Sequence, residues 1–341
     1  MYKHKFTIKD VAKEVGITAQ TVSNYLNKSA PVSEKTKKKI QEAIKKLNYT
    51  PNIFARGLRV GKSRIIAVII PEIAHPFFSA VVYGIEEVTK KEGYTIVLTS
   101  SGYDNNVVEY ELEKLSNYVD GIIICTNVLE RRTIIRILKK KVPIVAVDAK
   151  IENGLIPSVE VDNYKAVKEG IQYLVDMGHN NIYYFSEPLS LDTTIDRLNA
   201  YQDCLLANNI KLDKNKIIID KELEINKTQR GYEIMKERLE KIKMPAAVFA
   251  TSDLIIIGAM KAVIEKGYKI PDDVSFLGYE NIFLSEFTNP PLTTIKHPKK
   301  NIGRTAAKLL LQLISGKRIK EKRVFLDTVL IKRFTVKSFK D

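Results

Sequence analysis

Two hydrophobic patterns divide the chain near residue 64. Before that point, apolar residues recur at the spacing of amphipathic helices and predict two short helices. The residues that set this spacing are Ile8, Val11, Ala12, Val15, Val22 and Leu26. Thr7 and Thr18 are the N-cap candidates, and Gly16 supplies the turn between the helices. A third helix is predicted over roughly Ser33 to Leu47.

After residue 64, short continuous apolar runs alternate with helical patterns. The runs are RIIAVIIP, YTIVLTSS, DGIIICT, PIVAVDA, NIYYFSE, AAVFAT and VSFLGYE. This alternation indicates parallel sheets that are covered by helices on both faces. Because about 100 residues separate the two series of runs, we predict an α/β fold with two doubly wound subdomains. Their expected extents are 64–160 with 293–325, and 162–291 with 326–341.

Paired sheets of this kind close on a small molecule at the carboxyl ends of their strands. This is the architecture of the periplasmic binding proteins, and it would suit a sensor. The second part of the chain is therefore predicted to bind a small ligand between its two subdomains.

The positive charge is concentrated in the helical part. The formal net charge is +15, and residues 1–64 carry +11 of it, with 15 Lys and Arg against four acids. A basic module on a nearly neutral body indicates binding to a polyanion, and the alternative is a solvated basic end. Six lysines of the third predicted helix can contact a phosphate backbone but cannot read bases. They are Lys35, Lys37, Lys38, Lys39, Lys45 and Lys46.

Cysteine, histidine and hydropathy patterns argue against several classes of protein. Cys125 and Cys204 have no CxxC spacing, which speaks against a disulfide framework or a zinc site and fits a reducing cytoplasm. The four histidines have no metal-ligand spacing, and no GxSxG motif is present. Neither a signal-peptide core nor a run of eighteen apolar residues occurs. We therefore expect no metal, no cofactor, no export and no membrane partner.

The outer side of the second predicted helix is the most informative surface. Its residues are small or carry amides and hydroxyls, and none is acidic: Ala19, Gln20, Ser23, Asn24 and Asn27. A phosphate-lined groove would not repel such a face. A helix, a glycine turn and a second helix of this kind are typical of a helix-turn-helix, whose second helix enters the major groove. The same layout also occurs in proteins that do not bind DNA.

Several motifs extend this interpretation by their wording and order. TIKDVA, TVSNYLN and NYTPNIFARGLRVGKS closely resemble the N-terminal domain and hinge of the lac repressor (LacI/GalR) family of bacterial transcription regulators. Later motifs carry the resemblance over nearly the whole chain: HPFFSAVVYGIEE, DGIII, PSVEVDNYKA, MGHNNIYYF, DRLNAY, TSDLIIIGAM, IPDDVSFLGYENI and NPPLTTIKHP. The resemblance implies a helix-turn-helix domain in residues 1–50, a hinge in 51–63 and an effector-binding and dimerisation domain in 64–341.

The resemblance also implies which residues contact DNA. Ala19, Gln20 and Asn24 match positions that read base edges in the major groove. Asn24 stands where the family most often has arginine, and because Asn or Gln suits N6 and N7 of adenine, we predict an adenine preference of about 1–3 kcal/mol for a good pair. Matched hydroxyl positions that contact phosphates are Thr7, Thr21, Ser23 and Ser33, and Thr18 and Asn27 complete this set.

The stretch from Pro51 to Leu58 is too short to be a stable helix alone. In the resembled family this hinge folds only on operator DNA, and the residue matching Leu58 is inserted into the minor groove at the centre of a palindrome. Asn52, Ala55 and Arg56 match neighbouring hinge positions, and a plain basic linker is the alternative. The nearby GLRVGKS is not a phosphate-binding loop, because only three residues separate its glycines and a strand pattern follows.

Effector-binding positions are likewise implied by the resemblance. Arg197 matches the arginine that grips effector hydroxyls or carboxylates, and Asp148 and Glu280 match acceptor positions. Near Asn226 the family usually offers an aromatic ring that stacks on the ligand, and here the residue is polar. The remaining matched positions are His75, Phe77, Phe78, Ser252 and Asp253, of which Asp253 could equally be a helix N-cap.

Carboxylates opposite an arginine suit hydroxyl-rich ligands, because each hydroxyl both donates and accepts. We therefore expect a cytoplasmic, homodimeric repressor that binds pseudo-palindromic double-stranded operator DNA under the control of a sugar or sugar derivative. The alternatives are control by a phosphorylated carrier protein or a purine corepressor, and more remotely a sugar-modifying enzyme. No leucine heptad follows the last predicted strand before Asp341, which favours a dimer over a tetramer.

Overall fold

Helices alone form the described part of the first unit of the chain, Met1–Ser63. The computed structural model describes residues 6–27, 29–50, 62–125, 131–149, 151, 154–189 and 192–340. Within that range the helices of this unit are α1 (Ile8–Val15), α2 (Ala19–Asn27) and α3 (Glu34–Lys46). They enclose a small apolar core made of Val11, Ala12, Val22, Ile40 and Ala43.

The polar residues between α1 and α2 place the helix ends where the sequence predicts them. The Asp10 carboxylate accepts hydrogen bonds from the backbone N–H and the hydroxyl of Thr7, both at 2.7 Å, which ties down the first turn of α1. Gly16 ends α1 with φ +73°, a left-handed conformation that favours glycine. The Thr18 hydroxyl accepts from the Thr21 N–H at 3.2 Å and so caps α2.

The second unit, Arg64–Asp341, contains two six-stranded sheets. The strands are β1 (Ile65–Ile70), β2 (Thr95–Ser100), β3 (Gly121–Ile124), β4 (Ile144–Val147), β5 (Ser158–Glu160), β6 (Ile182–Ser186), β7 (Ile217–Ile219), β8 (Ala246–Ala250), β9 (Val274–Glu280), β10 (Thr293–Lys296), β11 (Arg323–Phe325) and β12 (Val329–Ile331). The first sheet has the order β2–β1–β3–β4–β5–β11 and is parallel throughout. The second has the order β7–β6–β8–β9–β10–β12, in which β12 alone is antiparallel to its neighbour.

Helices cover both faces of these sheets. They are α4 (Pro76–Thr89), α5 (Asn105–Leu115), α6 (Arg131–Leu138), α7 (Asn163–Asp176), α8 (Asp192–Ala207), α9 (Lys227–Arg238), α10 (Asp253–Glu265) and α11 (Lys299–Ile314). Single turns of 3₁₀ helix span Lys214–Lys216, Lys221–Glu224 and Phe283–Glu286. The predicted α/β fold with two doubly wound subdomains is confirmed. In the part of the chain that the structure describes, no helix is both long and apolar enough to cross a membrane.

One predicted subdomain boundary is wrong. Residues 293–296 were expected in the first subdomain with the helix that follows them, but β10 pairs with β9 in the second sheet, where Thr293 lies opposite Leu277. The chain crosses to the first subdomain only after β10, because α11 packs against α4 and against β3 and β4. It crosses back between β11 and β12, as predicted. An apolar run indicates a strand, but it does not say which sheet a strand beside a crossing joins.

Each subdomain has a pair of helices in close contact at reciprocal glycines. In the first subdomain, a Cβ on Gly84 of α4 would overlap the Lys300 carbonyl, and one on Gly303 of α11 would overlap the Val81 carbonyl. In the second, Gly231 of α9 and Gly258 of α10 meet each other's helix backbone in the same way. Side chains at these positions would force the helices apart, so each pair moves with its sheet as one body.

We predict that Gly303→Ala destabilises the protein by about 1–3 kcal/mol, because the added methyl group meets backbone that cannot move aside. The higher helix propensity of alanine, worth up to about 1 kcal/mol, offsets only part of this loss. Urea denaturation measures the free energy of unfolding. Lys308→Ala, at an exposed position of the same helix, is the control and should change it little. Equal stability of the two variants would contradict the close-contact argument.

Candidate functional site

The outer face of α2 presents two neighbouring amides. Gln20 is exposed and Asn24 is half-buried, and the Gln20 side-chain NH₂ donates to the Asn24 carbonyl oxygen at 2.9 Å. The Ser29 hydroxyl donates to the same oxygen at 3.2 Å. This arrangement turns the Gln20 carbonyl and the Asn24 NH₂ toward other partners, so the pair offers one acceptor and one donor.

Two other predicted residues of this helix do not lie on its outer face. Ser23 is 4% exposed, so its predicted outward position is wrong. Ala19 is half-buried and packs against the core of the first unit. The reason is geometric: Ser23 lies four residues after Ala19 and next to Val22, on the flank of the buried side. The Asn27 side chain and the hinge positions Asn52, Ala55, Arg56 and Leu58 lie outside the described residues.

The predicted phosphate-contacting hydroxyls stand at helix starts. The Thr18 and Thr21 hydroxyls are 2.9 Å apart at the first turn of α2. Ser33 caps α3, where its hydroxyl accepts from the Thr36 N–H at 3.3 Å. Thr7 does the same duty at α1 through Asp10. Helix N-termini attract phosphates, and α3 adds exposed lysines, two of which also pair with acids: Lys37 with Glu34 and Lys46 with Glu14, each at 2.6 Å.

In the second unit, two carboxylates mark the ends of strands in opposite sheets. Asp148 follows β4 with φ +51°, and Glu280 ends β9 with φ +103°. Left-handed backbone is strained for residues that carry a Cβ, and such strain gathers at functional sites. Burial and the charge of Glu280 raise the pKa of Asp148 to about 6, although Arg197 opposes the shift. The two acids therefore interact across the cleft between the subdomains.

Arg197 lies between these acids and is 8% exposed. Its Nε donates to the Asn163 side-chain oxygen at 2.9 Å and its Nη1 to the Thr251 carbonyl at 3.3 Å. Its guanidinium carbon lies 4.4 Å from the centre of the Tyr279 ring, and the Tyr279 hydroxyl donates to the same Asn163 oxygen at 2.7 Å. The charges of Asp148, Glu187 and Glu280 all favour the charged guanidinium.

Glu280 is held from both subdomains. Its Oε2 accepts from the Ser252 hydroxyl at 2.9 Å and lies 3.9 Å from His75 Nε2. Burial lowers the pKa of His75 to about 4, so the ring is neutral at pH 7, and its Nδ1 caps α4 by accepting from the Phe77 N–H. Burial raises the pKa of Glu280 to about 7. The carboxylate is therefore poised to gain from a hydrogen-bond donor on a ligand.

Asp253 braces the site from within. It is fully buried, and its oxygens accept from the Ile282 N–H at 2.9 Å, the Ser285 hydroxyl at 2.6 Å and the Thr294 hydroxyl at 2.6 Å. Burial raises its pKa to about 7. The alternative role as helix N-cap belongs to Ser252, which precedes α10. Asp253 thus fixes the segment after Glu280 through protein contacts, and its ligand role stays a prediction.

The two phenylalanines of HPFF differ in exposure. Phe77 is 4% exposed and packs edge-on against Phe78 and His297, at ring-centre distances of 5.2 and 5.6 Å. Phe78 is half-buried and lies 5.5 Å from the His75 ring. Phe78 is therefore the ring nearer to the open side, while Phe77 belongs to the core.

A buried ion pair beside Arg197 was missed by sequence reasoning. Lys227 Nζ lies 3.2 Å from Glu187 Oε1, and the other Glu187 oxygen accepts from the Thr251 hydroxyl. Burial raises the pKa of Glu187, but the charges of Lys227 and Arg197 outweigh it and hold the pKa at about 2. Asn226, where a stacking ring was sought, precedes α9 and is exposed. Glu187 could have been found as the last residue of NIYYFSE, whereas Lys227 resembles any helix-end lysine.

A cavity of about 210 Å³ adjoins Asp148 and Asn163. Its wall also includes Glu160, Asp162 and Asp196, together with Arg323. Arg323 donates to both Glu160 oxygens, at 3.0 and 2.8 Å. The space beside the strand ends is therefore lined mainly by acids. Within the described ranges, no group of three or more His, Cys, Asp or Glu is placed to hold a metal ion.

Comparisons with known proteins agree over the full length of the chain. Residues 63–338 match the family described as periplasmic binding proteins and sugar binding domain of LacI family, and residues 7–52 match bacterial regulatory proteins, lacI family. The HTH-type transcriptional repressor PurR of Vibrio atlanticus (strain LGP32) is 34% identical over 340 residues, covering 97% of this chain and 99% of that protein.

Solved structures give the same result. The lac repressor dimer bound to operator and the anti-inducer ONPF superposes with a TM-score of 0.83 at 28% identity, covering 98% of this chain and 100% of that one. The complex of the transcriptional regulator CelR with cellobiose gives 0.71 at 26% identity, covering 97% and 100%.

We predict that Lys227→Met destabilises the protein by about 3–5 kcal/mol, because it leaves the Glu187 charge buried without its cation. Lys227→Met with Glu187→Gln should recover much of this loss. The folded-state pKa of Glu187 is depressed, so its contribution is present above its unfolded pKa and is lost as the pH falls toward about 2. The deficit of the single variant should therefore shrink on acidification. Urea titrations over pH test this, with exposed Lys236→Met as the control; a constant deficit would refute the ion-pair argument.

Proposed function

The chain belongs to the LacI family of bacterial regulatory proteins and is a DNA-binding transcriptional regulator, and from that premise we propose that it is a repressor whose operator affinity is set by a sugar or sugar derivative. The effector binds between the two subdomains of the second unit. The observation that carries this proposal is the meeting of Arg197, Asp148 and Glu280, from both sheets, at one cleft.

The first unit supplies base recognition. Adenine offers an N6 donor and an N7 acceptor in the major groove. The Gln20–Asn24 pair offers one acceptor and one donor in a fixed relation, so the two amides together complement adenine. The hydroxyls of Thr18, Thr21 and Ser33 and the lysines of α3 contact the phosphates on either side. The hinge around Leu58 enters the minor groove at the centre of the operator.

A sugar fits the chemistry of the cleft. Ser252 and Asn163 sit beside charged groups that donate and accept, and each sugar hydroxyl can do both. The related regulator CelR is described in complex with cellobiose, which supports a carbohydrate. A purine is less favoured, because exposed Asn226 stands where a stacking ring was sought. Control by a phosphorylated carrier protein remains the alternative that the experiments below separate.

Regulation follows from closure of the cleft. An effector that bridges Asp148 and Glu280 draws together subdomains that the chain joins at three crossings, and such coupling is typically worth about 1–3 kcal/mol. We propose a homodimer, as in the lac repressor dimer. Phe283 and Phe287, which are 68% and 78% exposed, supply apolar surface of the kind that subunit interfaces bury.

Selection of genomic DNA fragments by the purified protein, at about 150 mM salt so that purely electrostatic binding is weak, tests the regulator. We expect a pseudo-palindrome to be enriched. Recovery of unrelated sequences would contradict operator recognition. Enrichment only in the presence of a phosphorylated carrier protein would replace the small-molecule effector by a protein one.

We predict that Asn24→Arg moves the selected base at one position of each half-site from adenine toward guanine, because arginine pairs bidentately with guanine. The discrimination should be about 1–3 kcal/mol at that position and should leave the other positions unchanged. Parallel selections with the wild type and the variant measure it. Lys45→Arg, on exposed α3 surface, is the control. An unchanged motif would show that Asn24 does not read a base.

We predict that Arg197→Ala abolishes release of the operator by effector while operator affinity stays within about threefold of wild type, since additive sites far apart do not couple. Anisotropy of a labelled operator duplex, titrated with ribose, glucose, galactose and cellobiose, measures both quantities. Arg304→Ala, which removes a half-exposed pair with Glu87, is the control. A normal response in Arg197→Ala would remove this residue from the effector site.

A further inference from the structure

The cations beside the cleft are already engaged by the protein. Lys227 is 6% exposed, and its ammonium donates to the carbonyls of Leu223 at 2.9 Å and Glu224 at 3.1 Å as well as to Glu187 at 3.2 Å. These three acceptors match the three hydrogens of an ammonium group. Lys227 therefore stabilises Glu187 and has no hydrogen left for a ligand.

Lys299 is engaged in a similar way. Its ammonium donates to the carbonyls of Glu280 and Asn281, the latter at 2.7 Å. It therefore lies against the backbone at the end of β9. Its charge neutralises the carbonyl dipoles there and supports the left-handed turn that aims the Glu280 side chain.

The guanidinium of Arg197 is bounded by acids. One nitrogen bonds to Asn163, another to the Thr251 carbonyl, and the planar face lies on Tyr279. Asp148, Glu187 and Glu280 all contribute negative charge around it. A group that approaches this arginine from the cleft must therefore pass carboxylates.

The two strand-end acids lack such compensation. Among the described residues, no Lys or Arg nitrogen is paired with Glu280, whose nearest basic partner is the neutral His75 at 3.9 Å. Asp148 is likewise outside the ion pairs of the described chain, and the adjoining cavity adds Glu160, Asp162 and Asp196. Burial raises the pKa of both strand-end acids, to about 6 for Asp148 and about 7 for Glu280. Both would gain from a donor and would lose from a second negative charge.

We propose that the effector carries no negative charge: it is an unphosphorylated, uncarboxylated sugar whose hydroxyl or ammonium groups donate to Glu280 and Asp148. This inference rests on the proposed sugar control of the same cleft. It excludes sugar phosphates and sugar acids, because like charges brought together without water cost several kcal/mol. A phosphate or carboxylate on the sugar should therefore weaken binding by at least about a hundredfold.

Fractionated metabolites test the sign of the charge even before the sugar itself is identified. An aqueous extract of the source cells is passed through a low-molecular-mass filter and separated on an anion exchanger and then a cation exchanger. Each fraction is added to the full-length protein on its selected operator, and anisotropy measures release or tightening. Activity in the unbound fraction supports a neutral sugar, and activity on the cation exchanger supports an amino sugar. Activity that elutes only from the anion exchanger would overturn the proposal.

The same experiment separates failure of the charge inference from failure of the proposed function. Activity that remains above the filter would identify a protein co-effector, and inactivity of every fraction would reject control by a small molecule. Either result would overturn both statements. An active anionic fraction would overturn the charge inference alone and leave sugar control standing.

Glu280→Gln provides the residue-level test on the active fraction. Loss of the charged acceptor should weaken the response at least about tenfold, and more for an ammonium donor than for a hydroxyl. Glu286→Gln, exposed on the turn that follows β9, is the matched control. Unaltered operator affinity in both variants confirms folding, and Asp148→Asn serves as a second variant. An unchanged or stronger response in both Glu280→Gln and Asp148→Asn would overturn the proposal.

Discussion

One buried guanidinium determines the geometry of the cleft. Arg197 joins Asn163, which follows the first crossing, to the Thr251 carbonyl beyond β8 and to the Tyr279 ring of β9. A buried cation is costly unless its hydrogens and its charge are satisfied, so these three segments are held in fixed positions. The carboxylates of Asp148, Glu187 and Glu280 compensate its charge. Their mutual positions, and with them the recognition of any ligand, depend on this arginine.

The subdomains around this arginine are rigid and their connections are narrow. Reciprocal glycines join α4 to α11 and α9 to α10 at backbone contact, so relative motion concentrates at the crossings. His297 lies in one crossing, between the rings of Phe77 and Tyr279, at 5.6 and 4.6 Å. Burial lowers its pKa well below the usual range, and its ring nitrogens have no hydrogen-bond partner among the described residues. A neutral ring can slide between two others, whereas a hydrogen-bonded one would resist.

Much of this could be read from the sequence, and the exceptions have physical causes. The seven apolar runs became strands because continuous β-branched stretches are buried on both faces. β5 and β7 have three residues each, too few for a periodic signal. Ser23 was misplaced because its polarity suggests exposure while its angle on the helix favours burial. Motifs located Arg197 and Glu280, but Lys227 became visible only when the fold brought Glu187 to it.

The distribution of charge separates two tasks within one chain. Residues 1–64 carry +11, and exposed lysines there meet a polyanion without geometric selectivity. A sensor that also offered unpaired cations would compete for the same phosphates, both on DNA and on abundant anionic metabolites. In the cleft, by contrast, Lys227, Lys299 and Arg197 are directed at carbonyls, carboxylates and a ring of the protein itself. Positive charge there builds the site, while the surfaces turned to a ligand are acidic. DNA binding and effector binding can then respond to different chemistry, which is the condition for one to regulate the other.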